Sequence, residues 1–501
     1  MKIVVRVVFL CGLAGFGCLS VLAQEWPISP DPYPTGSKVD KPIYATIDIA
    51  DDMWRSKSRF SRDNMASLMQ YLAEIGVSRV YWLRAPEYME SDWLIPAEGS
   101  PEDAERIVVK AAHDAGLECF AIFKPFETGV LTSILPQSYP VPDRVRTIEM
   151  QTGRLPYVAP FIVDHPEFRI RRRPLQVDPN QEVRTIKLVK SDDAATSIKE
   201  GNLEIWTSRD NGNFVRWSSA FTFSDGIEDR NGKSVRVLTL SGLNIPADQR
   251  FIMVRMAGLA GEASTPFANV PANLMEMYGE GGVHLPSNGD DGVIPRSALI
   301  QSIQSLCIQL YGSDAVPQEL ALPDSYGKTL ETSSFYFGQA ATNFYGASPI
   351  PDRKLESADG YIVSAKGKEM SMPTPHPIYP EVRAYWLGQI QTMLDHGFDG
   401  IDIRIDNHST WLAEAGEYGF NGPVVEAYKE KYGIDILKEQ FDPDHWREIQ
   451  GDSYTQFLKE ARELTRRKNR PLHLHVSGVL ANITPGFDLN NLPKNFEWQW
   501  E

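Results

Sequence analysis

Cysteine is scarce, with four in 501 residues, so no disulfide framework organises this chain. Cys11 and Cys18 fall in the leading apolar stretch, and Cys119 lies in an apolar run that reads as a strand, where a buried thiol is expected. After residue 22 no run is long and apolar enough to span a bilayer, so no integral membrane segment is expected beyond the leader. Basic runs are nearly absent as well. The formal net charge is −16, and the short basic run Arg171-Arg172-Arg173 is expected to be a solvated loop. Such a balance disfavours nucleic-acid partners and fits neutral or cationic ligands better than anionic ones.

The start of the chain reads as a secretory leader. Lys2 and Arg6 supply the positive charge, residues 7–22 the apolar run, and Val21-Leu22-Ala23 a small-residue cleavage site before Gln24. Gly15-Phe16-Gly17 before Cys18 lacks the leucine of a lipoprotein signal, so a secreted or periplasmic protein cleaved near Ala23 is expected. Losing Lys2 and Arg6 would take the net charge from −16 to −18.

Residues 24–40 are rich in Pro, Gly and Ser and read as a linker. Strands are expected at 44–50, 79–85 and 119–124, with helices at 64–75 and 101–115 between them. Strand and helix alternating over short connections implies parallel strands and right-handed crossovers. From 131 to 290 this rhythm stops. Short alternating runs such as Leu203-Glu204-Ile205-Trp206-Thr207 and Val235-Arg236-Val237-Leu238 take over and read as an inserted β-sandwich. Barrel-like patterning resumes in 291–501, with helices at 381–396, 423–432 and 454–468 and strands at 399–406 and 472–477. The expected fold class is therefore α/β, a (β/α)8 TIM-type barrel whose first part is 41–130. Five barrel-type strands fall short of closure, so the chain is expected to be a fragment of a longer barrel. A doubly wound sheet is the alternative.

The most informative stretch is Gly397-Phe398-Asp399-Gly400-Ile401-Asp402-Ile403-Arg404-Ile405-Asp406-Asn407-His408. Strict alternation puts Ile401, Ile403 and Ile405 on one face and Asp402, Arg404 and Asp406 on the other. Charged groups on a covered face are costly without a partner or a task.

This stretch, with His376-Pro377-Ile378-Tyr379-Pro380 before it and Tyr418-Gly419-Phe420-Asn421 and Tyr454-Thr455-Gln456-Phe457-Leu458 after it, resembles the family 10 glycosyl-hydrolase-like proteins of the TIM-barrel glycoside hydrolase superfamily. The resemblance covers residues 376–480 well and 40–130 weakly. It implies a secreted carbohydrate-active barrel and carries no catalytic pair with it.

Cleavage of an O-glycosidic bond in a poly- or oligosaccharide normally needs two carboxyl groups flanking that bond. Asp406 is the first choice, with Arg404 two residues earlier to hold it ionised. Glu127, in Phe126-Glu127-Thr128, is the chosen partner, because its aromatic flank would desolvate it; Glu87, Asp48, Asp51 and Asp52 are alternatives. Substrate contacts are expected from Arg404, Asn407, His408, Trp82, Arg84, Lys124, His475 and Asp48. Of Tyr81 and Trp82 only one can share the charged face. No cofactor is expected. Two rivals stay open: a carbohydrate-binding barrel without chemistry, and a metal-dependent hydrolase using His473 and His475 with Asp406 and His408, although no HxxE or CxxC pattern lies close to them.

Overall fold

The computed structural model describes residues 42–48, 61–83, 101–128, 146–151, 153–156, 158–190, 192–211, 214–257, 275–288, 334–337, 360–405 and 415–475. The expected leader and cleavage site lie outside the described residues.

The first elements are β1 (Ile43–Ile47), α1 (Arg62–Glu74), β2 (Val77–Leu83), α2 (Pro101–Asp114) and β3 (Glu118–Phe123). Ser61 caps α1 by accepting from the Asn64 amide at 3.1 Å. Pro101 opens α2, where the missing amide hydrogen costs nothing. A hairpin follows, β4 (Thr147–Met150) with β5 (Gly153–Pro156), then a short helix α3 (Pro160–Asp164) and β6 (Arg169–Arg171).

Ten strands come next: β7 (Val183–Val189), β8 (Leu203–Ser208), β9 (Val215–Arg216), β10 (Thr222–Arg230), β11 (Lys233–Ile245), β12 (Phe251–Met256), β13 (Met275–Tyr278), β14 (His284–Leu285), β15 (Ser334–Phe337) and β16 (Gly360–Ala365). They make two five-stranded antiparallel sheets, ordered β10-β11-β7-β13-β14 and β15-β16-β12-β8-β9. One apolar core joins them, with Ile186, Leu188 and Leu240 from the first sheet meeting Ile205, Ile252 and Ile362 from the second. The second sheet runs past residue 290, since β16 pairs with β12 from Phe251↔Ala365 to Met256↔Gly360.

The remainder is β17 (Ser371–Pro375), α4 (Pro380–Asp395), β18 (Gly400–Arg404), α5 (Gly422–Tyr432), α6 (Pro443–Arg467) and β19 (Leu472–His475). α6 begins well before the expected residue 454, because Asp442 accepts from the Asp444 amide at 2.8 Å and Pro443 takes the first helical position. Among the described residues no helix is long and apolar enough to cross a membrane.

Strands β1, β2, β3, β18 and β19 form one parallel sheet in chain order. This corrects the expected (β/α)8 barrel. Among the described residues the parallel sheet has five strands and its outer strands, β1 and β19, are not paired with each other. Every other sheet is antiparallel, joined in large part by hairpins rather than crossover helices. A barrel of this class needs parallel strands all round to share hydrogen bonds and abolish its edges. Strands without crossover helices cannot supply them. Chain-order pairing also differs from a doubly wound sheet, in which the order reverses.

One face of the parallel sheet carries the main core. Val80 and Trp82, Cys119 and Ala121, and Ile401 and Ile403 pack with Val108, Trp386, Ile390 and Phe457 from the helices. Cys119 is free and fully buried, and burial pushes its thiol up. Asp399 fastens β18 to β3. Its amide donates to the Cys119 carbonyl at 2.8 Å, and its carboxylate accepts from the Cys119 amide at 2.9 Å and from Arg470 at 3.1 Å, with His113 at 2.8 Å. Gly400 leaves room for Phe120, since a Cβ there would collide with carbons of the Phe120 ring.

A second junction ties the ribbon β6–β17 to α5 and α6. The buried Asn421 side chain accepts from the Arg171 amide at 3.0 Å and donates to the Arg169 carbonyl at 2.8 Å. His376 accepts at Nδ1 from the Ile378 amide at 3.0 Å, so its proton sits on Nε2 and is donated to Gln450 at 3.1 Å. Gly419, at φ 105°, lies where a side chain would collide with that Gln450 amide. The Arg171-Arg172-Arg173 run belongs to this junction and is not a solvated loop. Arg172 is buried and lies over the Tyr418 ring at 5.4 Å.

Two outcomes follow. Gly400→Ala is expected to cost about 1–3 kcal/mol of stability by overpacking, and shrinking the ring in Gly400→Ala/Phe120→Leu should recover part of it. Urea unfolding of the two variants measures both, and additive losses would show that the two positions do not clash. Burial also holds the His376 imidazole down at about 4, against an ordinary 6.5. Between those values the unfolded chain takes up a proton that the folded chain refuses. The stabilisation from neutral His376 is thus complete above pH 6.5 and lost as the pH falls toward 4. His376→Asn should flatten the pH dependence of the urea midpoint across that window.

Candidate functional site

The other face of the parallel sheet is polar, and its register sets the rows. Arg79 pairs with Glu118, and Tyr81 with Phe120, which in turn faces Gly400. The next row on the same face is Leu83, Ile122, Asp402 and His473. Above it Arg404, the last residue of β18, stands opposite His475. Period-two alternation brings these residues to one face, because the residues between them belong to the helix-packed core.

The lower rows form a connected network. The Arg79 guanidinium grips Glu118 at 2.6 Å, lies 4.2 Å above the Phe120 ring and donates to the Tyr81 hydroxyl at 3.2 Å. That leaves the Tyr81 O–H to donate to His473 Nδ1, 3.0 Å away, which puts the proton of neutral His473 on Nε2. The imidazole stacks on Phe120 with ring centres 4.9 Å apart. Burial, then the Arg79 charge, holds His473 below its ordinary value, while Asp402 and Glu118 pull the other way. Asp402 is buried, at 5% exposure, between His473 and Ile122 in the register.

The carboxyl end of β3 carries the second polar group. Lys124, 2% exposed, is ion-paired with Glu127 across a turn that the Glu127 amide closes on the Lys124 carbonyl at 3.3 Å. Thr374 of β17 props the turn by donating to the Phe126 carbonyl at 3.0 Å. The aromatic flank expected to desolvate Glu127 points elsewhere, since Phe126 packs edge-on against Trp386 at 5.3 Å in the core. Glu127 therefore meets an ammonium rather than an apolar cage.

The other expected residues divide plainly. Trp82 is buried in the helix-packed core at 1% exposure, so the position on the opposite face belongs to Tyr81; this corrects the expectation that Trp82 meets a substrate. Asp48 follows the edge strand β1 and is half-buried. Asp406, Asn407, His408, Arg84, Glu87, Asp51 and Asp52 lie outside the described residues. Among the described residues no three His, Cys, Asp or Glu side chains gather as metal ligands, and His473 Nδ1 is engaged by Tyr81. The Arg79–Glu118 pair was missed in the sequence. Its signal was there, in Arg79 with Tyr81 and Glu118 with Phe120, each two apart on a strand.

No protein-family model matches this chain, and no curated protein matches it.

Arg79→Gln removes the cation that opposes protonation of His473. Its titration midpoint, followed by NMR on histidine-labelled protein, should move upward. An unchanged midpoint would show that burial alone sets it.

Proposed function

We propose that this chain is a glycan hydrolase that cleaves an O-glycosidic bond with Asp406 and Glu127 as its carboxyl pair. The observation that carries this reading is the pairing of β18 directly beside β3 in parallel. β3 ends four residues before Glu127 in sequence and β18 two residues before Asp406, and the two strands end at the same, carboxyl edge of the sheet. Neighbouring strands lie about 5 Å apart, and paired glycosidase carboxyls stand about 5–9.5 Å apart. The carboxyl edge of a parallel sheet is also where α/β proteins bind their ligands. The resemblance of residues 376–480 to family 10 glycosyl-hydrolase-like proteins supports the same class. In this reading the apolar leader carries the protein to the periplasm or beyond, where polymeric glycans are met.

Roles follow from the neighbours. Lys124 holds Glu127 in place by an ion pair. Arg404 orients what stands at the end of β18. The polar network of Arg79, Tyr81 and His473 underlies the face and keeps it rigid.

The test is reducing-end release across a panel of glycans. Asp406→Asn and Glu127→Gln should each lower turnover by roughly 10²–10⁴-fold and remove one limb of the pH–rate profile; Asp406→Asn should leave the thermal melt unchanged, whereas Glu127→Gln should lower it by leaving Lys124 unpaired. Full activity in Asp406→Asn sinks the pair. Saturable binding of a glycan with no product from any of them favours a carbohydrate-binding protein instead.

A further inference from the structure

β6 and the residue pair after it read Arg169-Ile170-Arg171-Arg172-Arg173. Alternation along extended chain sets Arg169, Arg171 and Arg173 on one side, about 7 Å from one to the next. Arg172 turns the other way and is buried beneath Tyr418. The backbone under the stripe is fastened from both sides. Arg172 donates to the Met370 carbonyl at 3.0 Å and Arg173 to the Glu417 carbonyl at 2.7 Å, while the Arg171 carbonyl accepts from Gly419 and Phe420 at 2.8 and 3.0 Å. Arg173 is further steadied over the rings of Phe420 and Phe441, at 5.7 and 5.8 Å.

The side chains of these three arginines make no ion pair or hydrogen bond among the described residues. The chain as a whole has 66 acidic residues against 50 basic ones. Several other arginines find carboxylates, among them Arg79, Arg236, Arg255 and Arg470. The near carboxylate, Glu167, is engaged by His165 at 3.0 Å. Three cations in a row on a fastened strand, with no ion pair among the described residues, suit an anion from outside. Guanidinium groups in a row match carboxylate or sulfate groups by paired hydrogen bonds.

The stripe also adjoins the candidate site. β6 pairs with β17, and Thr374 of β17 holds the turn that carries Glu127.

We propose that Arg169, Arg171 and Arg173 form a subsite for an acidic polysaccharide, gripping uronate or sulfate groups along its length. The choice of a sugar polymer over other polyanions rests on the glycan-hydrolase reading; the need for an anion does not. The stripe gives the substrate class that the bulk charge concealed, since the overall negative charge disfavours anions everywhere except where cations are concentrated.

Affinity electrophoresis of the purified chain tests this at low ionic strength, in gels containing polygalacturonate, dextran sulfate or plain dextran, with inorganic polyphosphate as a soluble competitor. Retardation is expected from polygalacturonate or dextran sulfate and not from dextran, fading as salt is added. Arg171→Gln, at an exposed position, should weaken it several-fold, and the triple variant at 169, 171 and 173 by at least about tenfold, or 1.4 kcal/mol. Arg466→Gln removes the same charge from the last turn of α6 and should change nothing. No retardation by either acidic polymer, or equal loss in Arg466→Gln, overturns the stripe. Polyphosphate displacing both polymers at lower concentration than either sugar overturns the sugar assignment. Cleavage of neutral glycans without retention on acidic gels removes this inference and leaves the hydrolase standing. Retention with no cleavage of any glycan supports the stripe and removes the hydrolase.

Discussion

The seating of β18 against β3 is the constraint on which the rest depends. These strands are joined by the Cys119–Asp399 hydrogen bonds, between residues 280 apart in sequence. Closing so long an excursion costs chain entropy, which local contacts must offset. The interaction is correspondingly dense. A carboxylate held by a backbone amide, an arginine and a histidine stands at the strand's entry, and an aromatic ring fills the space that Gly400 leaves. Everything on the polar face inherits its position from this register. A slip by one residue would send Asp402 and Arg404 into the apolar core and Ile401 and Ile403 out of it.

The two faces of that sheet explain how one small element supports both stability and a site. The helix-packed face is wholly apolar, with Trp82, Ala121 and Ile401 almost without exposure. The opposite face is polar but not loose, because its charges are compensated in place. Glu118 answers Arg79, and Glu127 answers Lys124. Compensation of this kind keeps buried charge tolerable, and it lets groups at the carboxyl edge stand on a rigid platform.

Several residues that carry the resemblance to glycosyl-hydrolase-like proteins serve architecture. His376 and Asn421 spend their polar atoms on backbone and Gln450, and Asp399 and Gly400 seat a strand. Such motifs mark how the chain is assembled. Chemistry, in the proposed reading, falls to the few groups at the carboxyl edge and to the arginine row of β6.

The sequence by itself determined what depends on neighbours in the chain. The alternation of Ile and charge through β18, the start of α2 at Pro101 and the turn between Lys124 and Glu127 are set by backbone periodicity over a few residues. The Asp442-Pro443 start of α6 was equally local and was overlooked. What only the tertiary structure decided depends on which distant surfaces meet. Alternation says that Tyr81 and Trp82 face opposite ways, but the helices covering one side make Trp82 the core residue. Nothing local distinguishes Arg172, sealed under Tyr418, from Arg171 beside it in solvent. Strand order and the absence of barrel closure among the described residues are of the same kind. Hydrogen bonding between strands is blind to sequence separation, so periodicity names the strands and only packing chooses their partners.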